Sequence, residues 1–141
     1  MNWQEAQDEC HKKFDSAPGR LFEPRISSMN EAVWKAADEK WGGSSFGEFW
    51  LGMNDLKDGT YRYMSNGDEV VEGMWKNGEP DGQVHGYQNA HCVGYYERHT
   101  PAQWYDLDCN DLRQSICVSI VEGDTEGETG DYFSFMLLPS F

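Results

Sequence analysis

The stretch W-Y-D-L-D-C-N-D-L-R-Q-S-I-C, from Trp104 to Cys117, decides how we interpret this sequence. It brings aromatic residues, three aspartates and two cysteines into one short segment, and the Asn-Asp pair after the first cysteine favours a turn. A carboxylate at Asp106, next to a large aromatic and on a backbone held by Cys109, is a rigid acceptor for a hard cation or a polar ligand. The alternative is a buried strand tryptophan with surface acids and structural cysteines. The segment alone does not separate these two interpretations.

Composition and charge limit the class of protein. The chain has 141 residues, of which 38% are hydrophobic and 14% aromatic, which predicts one domain with a hydrophobic core. Its 11 basic and 25 acidic residues give a formal charge of −14, which opposes binding to nucleic acid or to anionic membrane surfaces. No apolar run approaches the roughly 18 residues of a membrane span, and no signal peptide opens the sequence. We expect no nucleic-acid partner and no membrane span.

The four cysteines, Cys10, Cys92, Cys109 and Cys117, form an even set without the C-x-x-C spacing of a zinc or redox site. They predict two disulfides, and from spacing alone three pairings are possible. Disulfides indicate an oxidising compartment. We therefore expect an extracellular or secreted protein and, since an export signal is missing, an incomplete N-terminus.

Two helices are predicted. The first runs from Asn2 to Phe14 with apolar residues three and four positions apart, namely Trp3, Ala6, Cys10 and Phe14. The second follows the capping-box pattern Ser28-Met29-Asn30-Glu31 and should end before Gly42-Gly43. Its predicted inner face consists of Ala32, Val33, Ala36 and Ala37.

Short apolar runs after the second helix predict strands at Phe49 to Met53, Tyr61 to Met64, Cys92 to Tyr96, Gln103 to Leu107 and Ser115 to Ile120. Between the second and third of these lies a long segment, Asn66 to Asn89, and a connection of this length inside a domain is usually functional or disordered. Near the end, Glu122 to Asp131 has the composition of a flexible linker.

These motifs, taken in order, resemble the C-type lectin-like domain family over roughly residues 2 to 121. The resemblance rests on an aromatic, small residue and cysteine in the first helix, a W-L-G-M strand, a tryptophan before E-P-D, and the W-Y-D strand between cysteines. In this sequence they are Trp3, Ala6 and Cys10, Trp50 to Met53, Trp75, Glu79 to Asp81, Cys92, Trp104 to Asp106, Cys109 and Cys117.

The resemblance implies an α+β fold, with two helices flanking twisted antiparallel sheets and a long ligand-binding loop. It also implies the disulfides Cys10 to Cys117 and Cys92 to Cys109. We expect a C-type lectin-like domain at residues 1–121, an acidic, glycine-rich linker at 122–131 and an apolar C-terminal tail at 132–141.

In sugar-binding members of this family, the long loop and a W-N-D strand hold one calcium ion, which the sugar hydroxyls help to coordinate. Glu79, Asp81 and Asp106 match three carboxylate ligands of that site. Tyr105 stands where the family has asparagine, and Ala90 where it has a second loop glutamate, so the site departs from the family pattern. Substitutes for the missing ligands are available only if the loop follows another path, and they are Gln88, Asn89 and Asp108.

The triplet Glu79-Pro80-Asp81 combines the acid of the mannose-type motif with the acid of the galactose-type motif, and the resemblance implies a cis proline. Two carboxylates without an amide offer negative charge to calcium but few donors to a sugar. The resemblance implies a carbohydrate-binding module with a degenerate calcium site, whose partner is a glycan or glycoprotein contacted by Glu79, Asp81, Tyr105 and Asp106. The alternative is a calcium-independent domain that binds a protein ligand through the same face.

Catalytic machinery is not visible in the sequence, so we expect no enzyme. The histidines lack zinc-site spacing, and nucleophile-elbow, Walker and dinucleotide patterns are missing. The aromatic residues near the site suit either stacking on sugar rings or a half-buried core, and they are Tyr87, Tyr95, Tyr96, Trp104 and Tyr105.

The C-terminal tail carries a separate hypothesis. Family members usually have a strand before the first helix, paired with the strand that here contains Cys117, and this sequence offers none at that place. Tyr132 to Leu138 has strand-forming residues of suitable length, and the linker before it is long enough to reach back. The hypothesis is that this segment pairs beside Ser115 to Ile120; the alternative is an unordered tail left by gene prediction.

Overall fold

The computed structural model describes residues 1–13, 19–45, 48–70, 74–80, 90–96, 102–121 and 132–138. Within these ranges the chain forms two helices and seven strands. They are α1 (Trp3–Lys12), β1 (Arg20–Leu21), α2 (Ser27–Ser45), β2 (Phe49–Asn54), β3 (Arg62–Tyr63), β4 (Ala90–Tyr95), β5 (Trp104–Asp108), β6 (Gln114–Val121) and β7 (Tyr132–Leu138).

Helix α1 begins at a capping box. The Asn2 side chain accepts a hydrogen bond from the Glu5 amide at 2.8 Å, and the Glu5 carboxylate accepts one from the Asn2 amide at 3.0 Å. These two bonds satisfy donors that the first helical turn leaves free. Three of the four predicted apolar residues, Trp3, Ala6 and Cys10, are almost fully covered, and the fourth, Phe14, lies outside the described residues. The helix itself ends at Lys12, before the predicted end at Phe14.

Helix α2 is longer than predicted. It begins at Ser27 and continues through Gly42-Gly43 to Ser45, so the prediction that it ends before the glycine pair is wrong. A glycine costs a helix only about 1 kcal/mol relative to alanine, which tertiary contacts can offset. The predicted inner face is correct for two of its residues.

Of those four residues on α2, Val33 and Ala37 are buried, whereas Ala36 is half-buried and Ala32 is exposed. The capping-box serine, Ser28, lies inside the helix instead of preceding it. The apolar face is therefore narrower than the sequence pattern predicts.

A buried asparagine joins α2 to the sheet. Asn30 donates from Nδ2 to the Ala102 carbonyl at 2.6 Å, and its Oδ1 accepts from the Trp104 indole at 3.2 Å and from the Tyr95 hydroxyl. Complete burial raises the pKa of the Tyr95 hydroxyl, because the low-dielectric interior disfavours the phenolate. The amide thus meets the hydrogen-bonding needs of both aromatic side chains inside the core.

The strands form one seven-stranded sheet in the order β1-β6-β2-β4-β5, with β3 paired to β2 and β7 paired to β6. All pairs are antiparallel except β2 with β6, which is parallel. The implied antiparallel arrangement is therefore right for every pair but this one. A parallel pair needs a long connection, which the chain provides because β3, β4 and β5 intervene between β2 and β6.

Two disulfides crosslink the fold, one between α1 and the sheet and one between β4 and the end of β5. Cys10 of α1 is bonded to Cys117 of β6, and Cys92 of β4 is bonded to Cys109, the residue after β5. These are the pairs that the resemblance implies. The first links the helix to the centre of the sheet, and the second holds the end of β5 against its neighbour.

The C-terminal segment pairs with β6, as the tail hypothesis predicts. Strand β7 runs antiparallel to β6 from the pair Ser115 and Leu138 to the pair Val121 and Tyr132. Because Cys117 also pairs with Leu21 of β1, β7 and β1 lie on opposite edges of β6. Strand β7 therefore covers an edge that would otherwise present unpaired backbone groups.

The division into a domain, a linker and a tail stays a prediction, and 122–131 lies outside the described residues. Among the residues that are described, no helix is both long and apolar enough to cross a membrane.

Candidate functional site

The candidate site begins with a short segment, residues 74–80, that lies along β5. The Lys76 amide donates to the Trp104 carbonyl at 3.0 Å, and the Trp104 amide donates to the Met74 carbonyl at 2.9 Å. Between them, the rings of Trp75 and Trp104 meet edge to face at 5.6 Å. The segment is thus held against the strand that carries Asp106.

This segment leads directly to the acidic triplet. The Glu79 amide donates to the Lys76 carbonyl at 2.8 Å, which closes a turn, and the peptide bond between Glu79 and Pro80 is cis, as the resemblance implies. The next residue, Asp81, lies outside the described residues. Beside the triplet is an open cleft of about 550 Å³, lined by Gly59, Thr60, Tyr61, Glu69, Val70, Trp75, Glu79 and Pro80.

Asp106 is nearly buried, with only 2% of its surface exposed. The Tyr61 hydroxyl oxygen lies 3.1 Å from the Ala90 carbonyl oxygen and 3.4 Å from the Oδ2 of Asp106, and its single proton is shared between these two acceptors. Burial raises the pKa of this hydroxyl, and the negative charges of Asp106, Asp55 and Glu79 raise it further, since each disfavours a phenolate nearby.

Tyr61 connects the cleft to β5. It lines the cleft together with Glu79, and its hydroxyl oxygen lies 3.4 Å from the Oδ2 of Asp106. Tyr61 thus stands between the cleft that Glu79 lines and the strand that carries Asp106. The sequence pattern did not identify Tyr61, because it lies 45 residues from Asp106 and belongs to no motif.

Tyr105, in the position of the family's asparagine, is only 7% exposed. Its ring meets that of Tyr96 edge to face at 5.3 Å, and the Lys76 ammonium lies 5.7 Å from its centre. Neighbouring residues of a strand point to opposite faces, so the side chain of Tyr105 lies on the face opposite to those of Trp104 and Asp106.

Of the three residues proposed as substitutes for the missing ligands, the structure describes Asp108. Ala90 is fully buried and pairs with Asp108 across β4 and β5. The Asp108 carboxylate accepts a hydrogen bond from the Asn110 amide at 2.9 Å, which caps the turn after the strand. Gln88 and Asn89 lie outside the described residues.

The described residues fit calcium in chemistry, because carboxylate oxygens are the ligands that this ion prefers. Glu79 and Asp106 alone fall short of the roughly six to eight oxygens that it takes. In the described part of the chain, no group of three or more His, Cys, Asp or Glu side chains is arranged to hold a metal ion. A complete site depends on Asp81 and the residues after it.

Comparisons with known proteins agree with the fold. The sequence model of the family described as "Lectin C-type domain" matches residues 1–119. Collectin-43 of Bos taurus is 28% identical over 117 residues, which cover 82% of this chain and 32% of that protein. The C-type lectin lectoxin-Phi1 of Philodryas olfersii is 28% identical over 115 residues, which cover 82% of this chain and 69% of the lectoxin. The chain thus spans about a third of the length of the collectin.

Among solved structures, the C-type lectin CEL-I from Cucumaria echinata has a TM-score of 0.65 at 21% identity, over 83% of this chain and 81% of that one. Such a likeness shows the fold. The family consists of binding proteins, not enzymes. With a family match that covers residues 1–119 of 141, this chain belongs to the C-type lectin domain family.

Proposed function

We propose that this domain binds carbohydrate, as part of a glycan or glycoprotein, on the surface formed by residues 74–80 and β5. Glu79, Asp81 and Asp106 form a weak calcium site on this surface. The observation that supports the proposal is the position of Tyr61, which lines the cleft together with Glu79 and whose hydroxyl oxygen lies 3.4 Å from the Oδ2 of Asp106.

Calcium, when bound, would coordinate neighbouring hydroxyls of the sugar. The residues of this chain would hold that arrangement in place: Glu79 and Asp81 accept hydrogen bonds from sugar hydroxyls, and Asp106 anchors the strand side. Because a carboxylate accepts but does not donate, the site discriminates weakly between sugars. Because the side chain of Tyr105 lies on the face opposite to that of Asp106 and is only 7% exposed, we do not assign it a contact with the sugar.

We also propose that the protein works outside the cell or is secreted. The support is the pair of disulfides, because such bonds persist in oxidising compartments and are rare in the cytosol.

The proposal is tested by calcium titration with thermal unfolding and calorimetry. A ligand that binds only the folded state raises the melting temperature, so millimolar calcium should produce a rise that EDTA reverses. Asp81→Ala and Asp106→Asn should abolish the rise. Glu31→Gln removes an exposed carboxylate on α2 and is the matched control, which should respond as the unaltered protein does.

Sugar binding is tested on mannose and galactose resins, from which EDTA should release the protein. A flat calorimetric trace up to several tens of millimolar calcium, on the order of ten times the weakest extracellular sites, would rule out the calcium site.

A second candidate is binding of a protein ligand without calcium. It is favoured by the Tyr61 hydroxyl, whose oxygen lies 3.4 Å from the Oδ2 of Asp106, and by the burial of Tyr105 at the asparagine position. Both features let the site keep its shape without an ion. Partner binding that is unchanged by EDTA, together with no retention on either resin, would support this candidate.

A further inference from the structure

Two Asn-Gly pairs, Asn66-Gly67 and Asn77-Gly78, lie in turns of the described chain. The second pair directly precedes Glu79, in the segment 74–80 that lies along β5. An asparagine before a glycine can lose its side-chain amide without an enzyme. The main-chain nitrogen of the glycine attacks the side-chain carbonyl carbon, and glycine has no Cβ to hinder this approach. Both turns therefore contain the groups that this reaction needs.

The two pairs are matched in exposure and in backbone conformation. All four residues are exposed, and the φ angles of Gly67 and Gly78 are +77° and +89°. Neither solvent access nor the conformation of the glycine thus separates the two turns. They differ in the hydrogen bonds of the reacting groups.

In the first pair, the reacting groups are held. The Gly67 amide donates to the Tyr63 carbonyl at 2.9 Å. The Oδ1 of Asn66 accepts from the Asp68 amide and from Nη2 of Arg25, both at 3.0 Å. The Nδ2 of Asn66 donates to the Asp68 carboxylate at 2.9 Å. Before the Gly67 nitrogen can reach the Asn66 side chain, the turn has to give up several of these bonds.

In the second pair, the same groups are available. Within the described part of the chain, neither the Asn77 side chain nor the Gly78 amide has a hydrogen-bond partner. The bond that closes this turn runs from the Glu79 amide to the Lys76 carbonyl, at 2.8 Å, and involves neither reacting group. The Gly78 nitrogen can therefore lose its proton to hydroxide and approach the Asn77 side chain without breaking a hydrogen bond.

We propose that Asn77 is a site of spontaneous deamidation, at which the protein is modified selectively as it ages. The Gly78 nitrogen forms a bond to Cγ of Asn77, and the bond between Cγ and Nδ2 breaks. The proton of the Gly78 amide passes through solvent to the leaving nitrogen, which departs as ammonia. Water then opens the imide ring at either carbonyl and leaves aspartate or isoaspartate at position 77. The net reaction consumes one water, releases one ammonia and needs no oxidant.

Isoaspartate changes the turn that positions Glu79. In isoaspartate the main chain passes through the side-chain carbons, so the turn from Lys76 to Glu79 gains one main-chain atom. The hydrogen bond between these two residues then no longer closes in the same geometry. The chain before the turn stays fixed, because Met74 and Lys76 are hydrogen-bonded to Trp104. Glu79 is therefore the residue that moves.

The effect of this movement on binding rests on the proposed function, in which Glu79 is one of the calcium ligands. The modification itself does not, because it depends only on the two turns. The experiment below contains neither calcium nor sugar. Its failure is thus distinguishable from failure of the calcium site.

The test is incubation of the native protein at mildly alkaline pH and body temperature, followed by digestion in acid, where the reaction is slow. Peptide mass mapping then measures the conversion of amide to acid at each asparagine, with Asn66 as the internal control. Asn77 should react at least about tenfold faster than Asn66, because Asn66 has to break hydrogen bonds first. The same incubation in concentrated urea unfolds both turns, and the two rates should then become similar.

Amide exchange of the 15N-labelled protein measures the effect on the turn. The Glu79 amide should exchange faster once isoaspartate has formed at position 77, whereas the Trp104 amide should stay slow. Asn77→Asp adds the charge without the additional main-chain atom, so it should leave the exchange of the Glu79 amide unchanged. Asn77→Gln should prevent the change on ageing, because its longer side chain forms the ring much more slowly.

Three results would overturn the proposal. Equal rates at Asn66 and Asn77 in the native protein would show that the hydrogen bonds of the first turn give no protection. A difference that persists in urea would assign the selectivity to the neighbouring residues in the sequence instead of the fold. Unchanged exchange of the Glu79 amide in protein with isoaspartate at position 77 would show that the turn accommodates the additional atom.

Discussion

Removal of the two disulfides, one at a time, should have unequal effects on stability. The sequence separation is 107 for Cys10–Cys117 and 17 for Cys92–Cys109. The variants are the double substitutions to alanine, Cys10→Ala with Cys117→Ala, and Cys92→Ala with Cys109→Ala. Alanine is chosen because three of these cysteines are fully buried, and serine would bury a hydroxyl.

The expected difference follows from loop closure in the unfolded chain. On the chain-entropy model, the longer bridge contributes about 4.8 kcal/mol at 25 °C and the shorter one about 3.1 kcal/mol. Each variant loses two sulfur atoms, so the packing losses of the two variants largely cancel when their free energies of unfolding are compared. The longer bridge should therefore cost about 1.6 kcal/mol more to remove. Its loss would consume much of the 5–15 kcal/mol that holds a typical domain folded.

Urea unfolding at 25 °C measures the effect. The free energies of unfolding must be compared instead of the urea midpoints, because an unfolded chain without the crosslink exposes more surface. This changes the slope of the free energy against urea concentration. Hydrogen exchange should show faster exchange near Cys92 and Cys109 in the second variant, and faster exchange throughout the protein in the first. If loss of the shorter bridge costs as much as loss of the longer one, the loop-closure reasoning is refuted.

Three further predictions concern the sheet and its aromatic groups. Gly94→Ala should lower the free energy of unfolding by at least about 2 kcal/mol, because its Cβ would lie 2.5 Å from a main-chain oxygen of β2. Gly59→Ala should cost only about 1 kcal/mol, because Gly59 has a φ of +81° but no atom close to the new Cβ. Thermal unfolding measures both. Burial raises the pKa of Tyr61 and Tyr95, so the free energy of unfolding should stay constant below pH ~10, where the phenols of the unfolded chain are protonated, and should fall above it. The fall should be smaller in Tyr61→Phe, and urea midpoints from pH 8 to 11 measure it. A chain that ends after Val121 should aggregate in light scattering, because β6 loses the strand that covers its edge, and a monodisperse truncated protein would contradict this. In the full chain, the amides of β7 should exchange slowly, and exchange within seconds would contradict the pairing with β6.

The sequence predicted most of the fold through ordered motifs. Cysteine spacing left three pairings open, and only the order of motifs in the family selected the pair of bridges that the structure contains. The pairing of β7 with β6 was a hypothesis based on a strand-forming segment that follows a linker of sufficient reach, and an unordered tail was the alternative. The end of α2 was not predictable, since tertiary contacts decide whether a helix tolerates Gly42-Gly43.

The candidate site was less predictable than the fold. The motifs identified Glu79 and Asp106, but the Tyr61 hydroxyl comes from a different part of the chain, and no local pattern marks such a contact. The burial of Tyr105 was within reach of the sequence. In a strand, side chains alternate between faces, so Tyr105 had to point away from Trp104 and Asp106.

The position of β7 has a consequence for the connectivity of the chain. Met1 exchanges two main-chain hydrogen bonds with Arg113, while Leu138 pairs with Ser115, two residues along. Alternate residues of a strand direct their main-chain N–H and C=O groups to the same edge, so the end of β7 and Met1 lie next to each other. A circular permutant that opens the chain between 122 and 131 and joins residue 141 to Met1 is therefore expected to fold. Its first strand would run straight into α1, in the order that the family resemblance implies.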